Sequence, residues 1–170
     1  MNNIISSIAA SALMLVTTAP AKAVTVGDFF ERLQTIGITV VYNDCDDSYG
    51  KYSPVRNEMC INKDLLHPTK RDLFDETLAH EAVHVIQDCM DDEGGVDSNY
   101  LIPIISAFNI AGEDTTKLKQ YVSNNLSENY FDLINEIDNP VIQKAEMEAY
   151  AMESDPELVY DILRAACLAK

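Results

Sequence analysis

Residues Thr69 to Met90 read TKRDLFDETLAHEAVHVIQDCM, and this stretch decides the fold. Thr69 is placed to cap a helix, acidic residues fill the early turns, and Gly94-Gly95 lies beyond the end, so one long amphipathic helix is expected. Inside it, His80-Glu81-Ala82-Val83-His84 sets two imidazoles four residues apart. On a helix, those side chains leave from one face, one turn above each other, and their nitrogens can converge on a single ion. Glu81, adjacent to the first, sits where it can take the proton of a metal-bound water.

Upstream of this helix the chain alternates short elements. VGDFFERLQTIG brings Phe29, Phe30 and Leu33 to helical spacing and stops at Gly37, predicting a helix over about 26 to 36. The β-branched run from Ile38 to Tyr42 reads as a strand. DCDDSYGKYSPVR reads as a loop from its Asp, Ser, Gly and Pro content, and about Glu58 to Ile61 reads as a second short strand. Downstream, SNYLIPIISAFN is apolar but broken by Pro103. Helices are expected over about 113 to 125, 128 to 137, 140 to 153 and 156 to 168. Pro140 and Pro156 each fall at a helix start, where a missing N–H costs nothing. The expected fold class is α+β: a small early sheet, then a helical second half.

The chain of 170 residues, 47% of them hydrophobic, suits one domain with a real core and shows no internal repeat. Twelve Lys and Arg against 28 Asp and Glu give a net charge of -16. That balance argues against nucleic acid and anionic membrane as partners, because a phosphate-binding surface needs clustered cations. Residues 1–23 have the layout of a secretory signal peptide: an apolar run from Ile4 to Val16, then Ala21-Lys22-Ala23 as a small-residue cleavage site. Met1-Asn2-Asn3 carries no Lys or Arg, which leaves an uncleaved anchor as the alternative. The mature domain is then 24–170, secreted or periplasmic, with no membrane association after cleavage.

All four cysteines fall in that mature part, and an even number in an exported chain implies two disulfides. Three pairings are possible, and sequence alone does not choose between them. The inferred fold favours Cys45 with Cys60, closing a short loop, and Cys89 with Cys167, tying the C-terminal segment to the histidine-bearing helix.

HEAVH resembles the defining motif of the zincin metallopeptidases residue by residue. The metzincin extension is absent, since Met90 stands where its third His would be and no His follows His84. The pattern is more similar to the gluzincin branch, in which a Glu on a later helix completes the site. That resemblance implies a Zn2+ ion held by His80, His84 and a Glu from QKAEMEAYAME, with Glu81 as catalytic base. Glu146, with Ala149 three residues on, fits the E-x-x-A pattern of such groups; Glu148 with Ala151 fits it too. The two carboxylates lie about 200° apart around a helix, so both cannot reach one ion. Glu146 is favoured and Glu148 stays open.

Of the remaining candidates, His67 is expected to be exposed. Tyr130 and Tyr150 are possible oxyanion donors outside the core site, and Asp88 is a possible support for a ligand. The expected function is an exported zinc metallopeptidase acting on a peptide or protein substrate, which would add as a strand beside NEMCI. The alternative is a non-catalytic secreted binding or inhibitory protein on a zincin scaffold. A third possibility is a disulfide-stapled structural domain in which the His pair is incidental.

Overall fold

The computed structural model describes residues 23–90 and 128–167, with the single positions 124 and 126. The expected leader, the apolar run from Ser98 and nearly all of the helix expected over about 113 to 125 lie outside the described residues. What is described is α+β.

Helix α1 spans Val26–Thr35, opened by a capping box in which Thr25 accepts from the Asp28 N–H while the Asp28 carboxylate accepts from the Thr25 N–H. Phe29 and Leu33 are buried on one face, as their spacing predicts, and Phe30 packs partly against the core. The turn after α1 is made by Gly37, whose φ of +86° is open to glycine at little cost.

Strand β1 (Thr39–Asn43) runs parallel to β3 (Glu58–Asn62), and between them in sequence β2 (Gly50–Ser53) pairs antiparallel with β3. The spatial order is β1-β3-β2. Strand β2 lies within the stretch expected to be loop. Gly50-Lys51-Tyr52-Ser53 has no β-branched residue and no apolar alternation, so only the ladder to β3 makes it a strand. The turn leading to it holds three successive non-glycine residues at positive φ, Cys45, Asp46 and Asp47. The Cys45–Cys60 disulfide ties that turn to the central strand.

Helix α2 is Arg71–Met90. A 3-10 turn, Pro68–Lys70, leads into it, and the capping acceptor is the His67 ring, which receives the Thr69 N–H. Thr69 is therefore the capped residue and not the cap; the Pro68 ring shifts the helical geometry one turn earlier. His67 is exposed, as expected. The expectation of an amphipathic α2 is also corrected. From Thr77 to Gln87 every residue except His84 is buried, because the helix is enclosed by the sheet on one side and two later helices on the other.

Those helices follow α3 (Glu128–Asn135): α4 (Pro140–Met152), capped by Asn139, and α5 (Pro156–Ala166), capped by Asp155. Both pack on α2. Their starts fall at the two prolines, where the sequence places them. Ala79, Ala82, Ala149 and Ala151 are fully buried.

Cys89 at the end of α2 is bonded to Cys167 after α5, and with Cys45–Cys60 this is the favoured pairing. The bridge closes a separation of 78 residues, for which the chain-entropy model gives about 4.5 kcal/mol. Replacing both Cys89 and Cys167 by Ser is expected to cost about 2–5 kcal/mol in urea unfolding. A loss below about 1 kcal/mol would show that packing alone holds α5 to α2.

Candidate metal centre

Helix α2 presents His80 and His84, and α4 presents Glu146 opposite them. His80 Nε2 lies 3.2 Å from Glu146 Oε2, and His84 Nε2 lies 3.5 Å from Glu146 Oε1. The ligand atoms of these three residues all fall within 4.8 Å of one another. The imidazole rings stand 5.0 Å apart, centroid to centroid, at 76°. The structure thus brings together the two histidines and the favoured glutamate.

Glu148 turns the other way. It is fully buried between α4 and α2, where its Oε2 accepts from the Gln87 side-chain amide at 2.8 Å. Burial pushes its carboxyl up to about 8, against the pull of that hydrogen bond. Two residues of helix separate Glu146 from Glu148, and that rotation sends one carboxylate to the histidines and the other away from them.

Each ring is held from behind. His80 Nδ1 faces Glu153 Oε2 at 3.0 Å, and Glu153 Oε1 accepts from the Tyr130 hydroxyl at 2.6 Å. His84 Nδ1 faces Gln87 Oε1 at 2.8 Å. With Nδ1 donating, both Nε2 atoms are left to face the cluster. Neither Glu153 nor Gln87 was among the expected site residues. Glu153 is seven residues after Glu146, two helical turns and hence the same face, but the Ser154-Asp155-Pro156 break disguises it as a terminus. Gln87 lies three residues past His84, one turn on, and carries no motif.

The Tyr130 hydroxyl donates to Glu153, so this tyrosine supports the His80 ring. Tyr150 stacks on Tyr130 at 4.2 Å and packs its edge against His80 at 4.6 Å. Asp88 accepts from the Tyr52 hydroxyl at 2.9 Å and supports β2, leaving the ring of His84 to Gln87.

Glu81 is buried beside the histidines and accepts a hydrogen bond from the backbone N–H of Tyr52 in β2. Burial raises its pKa, opposed by His84 and His80. Gly50 lets β2 come this close. A Cβ there would lie 2.6 Å from Glu81 Oε1 and 2.7 Å from Thr77 Cγ2. Gly50→Ala is therefore expected to destabilise by about 1–3 kcal/mol through overpacking. Gly27→Ala, in exposed α1 with only ordinary contact at 3.5 Å, is expected to stabilise by about 0.5–1 kcal/mol. Thermal unfolding of the two variants checks the opposite signs.

The strand β3 is paired on both sides, by β1 and β2, so no peptide can add beside NEMCI. The sheet edge at Glu81 is β2. It borders a cleft of about 910 Å³ whose other walls come from α2, α3 and α4.

The donor set can be tested for a metal by its charge. Burial works against an imidazolium at His80, yet the bonded carboxylates of Glu146 and Glu153 outweigh it and raise its pKa to about 10. Glu146, despite its own burial, is held well below the usual carboxylate range by His80 and His84. The cluster demands positive charge, and among the described residues lining the cleft the one Lys or Arg is Lys51, which is paired with Asp46. Two imidazole nitrogens and one carboxylate oxygen are the ligand types zinc takes in an open site. The residues fit a divalent cation.

This domain, an α+β scaffold carrying a partly buried His2Glu cluster, belongs to DUF8637, a domain of unknown function, whose family profile matches residues 40–168. The match runs from β1 past α5 and includes every residue of the cluster. No curated protein and no solved structure matches the chain.

Proposed function

We propose that this protein is an exported zinc metallopeptidase of the zincin type, with His80, His84 and Glu146 as ligands and Glu81 as the base. The observation that carries the reading is the convergence of three ligand atoms from two helices within 4.8 Å, each imidazole backed through Nδ1. When bound, zinc supplies the charge that makes water nucleophilic near neutral pH and polarises the scissile carbonyl.

The chain's own groups do the rest. Glu81, desolvated and tethered to β2, accepts the proton of the attacking water and delivers it to the leaving amine nitrogen. Glu153 and Gln87 keep the rings from rotating. An extended substrate lies along β2, the free edge bordering the cleft. Both disulfides suit an oxidising compartment, which supports a secreted or periplasmic location.

Residues 24–170, purified with both disulfides formed, are expected to bind one zinc per chain and to cleave members of a peptide library. Chelation abolishes cleavage and zinc restores it. A protein that takes up no zinc and gains no thermal stability from it would sink this reading.

A further inference from the structure

Gln87 is almost fully buried, and its side chain touches three groups at once. One end lies 3.2 Å from the backbone carbonyl of Ala145 and 2.8 Å from Glu148 Oε2; the other lies 2.8 Å from His84 Nδ1. A backbone carbonyl can only accept. The Gln87 atom facing it must therefore be the amide nitrogen, whose two protons serve Ala145 and Glu148. The reverse orientation would press the Gln87 carbonyl against the Ala145 oxygen, which has no proton to give. With the amide so fixed, the atom facing His84 is the oxygen Oε1, and His84 Nδ1 must carry the proton. Its Nε2 is thereby left as the nitrogen with a lone pair, and it points at Glu146.

We propose that Gln87 is a positioning residue for the metal: locked by Ala145 and Glu148 of α4, it dictates which nitrogen of His84 is the ligand. Helix α4 thus acts on the site twice, directly through Glu146 and indirectly through the residues on either side of it. Neither Gln87 nor Glu148 touches the reacting groups. The inference rests on the metal reading above, and the test separates the two.

Zn2+ affinity is measured by chelator competition, and the Co2+ derivative is followed by its visible spectrum, for wild type, Gln87→Leu and Gln87→Glu. Wild type is expected to bind both metals. Gln87→Leu, which offers His84 no acceptor, is expected to bind zinc about 10–100-fold more weakly with an altered Co2+ spectrum and an unchanged far-UV circular dichroism spectrum. Gln87→Glu, buried as the neutral acid, keeps an oxygen acceptor facing Nδ1 and a hydroxyl donor toward Glu148, and is expected to stay within a few-fold of wild type. A residue that merely fills space and tethers α4 predicts the reverse order, since leucine fills the volume while the acid sets an oxygen near the Ala145 carbonyl. Gln87→Leu equal to wild type, or Gln87→Glu weaker than Gln87→Leu, overturns the assignment while the metal reading stands. Absence of metal from wild type overturns both. If Gln87→Leu fails to fold, Gln87→Met, unbranched and equally without an acceptor, replaces it with the same expectation.

Discussion

Glu81→Gln is expected to lower peptide hydrolysis by about 10²–10⁴-fold while leaving the zinc content unchanged, the range that loss of a positioned proton-transfer group costs. The substitution is nearly isosteric. Its amide oxygen can still accept from the Tyr52 N–H, so β2 stays docked on α2. What it removes is the lone-pair basicity of a carboxylate that burial has made a stronger base than one in water. Glu81 lies outside the cluster of His80, His84 and Glu146, so metal binding is not expected to suffer. Turnover on a library-derived peptide and zinc by atomic absorption, from one preparation, check both halves. A loss under about tenfold with zinc intact would take the base role away from Glu81.

The second large effect concerns the two glutamates that sequence leaves in competition. Glu146→Ala is expected to abolish stoichiometric zinc, because it removes one of three ligands and the charge both imidazoles face. Its cost should exceed the roughly 10–100-fold typical of losing a supporting group. Glu148→Gln, by contrast, keeps an acceptor for the Gln87 amide and is expected to hold zinc as wild type does. Zinc content after dialysis and the thermal shift on adding zinc distinguish the pair. Ligand saturation at about 1,000 times the dissociation constant adds about 4 kcal/mol to wild type and nothing to Glu146→Ala. Equal zinc in the two variants would mean that another carboxylate completes the site.

The helix boundaries show how much the local code carries. Thr25 with Asp28, Asn139 with Pro140 and Asp155 with Pro156 are short-range signals, and α1, α4 and α5 start where they stand. The His80/His84 pair is equally local, since a spacing of four on any helix puts two side chains on one face. Strand β2 is the opposite case. Its four residues have no strand pattern of their own, and their pairing with β3 and the Gly50 contact with Glu81 arise only once α2 is packed beneath the sheet.

Taken alone, then, the sequence determined the helical punctuation, the α+β class and the histidine pair on one helix, because each depends on residues within a turn or two of one another. Tertiary structure decided that Glu146 and not Glu148 faces the histidines, that Glu153 and Gln87 hold their rings, and that the open edge is β2. These are relations between α2, α4 and the sheet, set by how far each element is rotated against its neighbour, and no local spacing encodes that rotation.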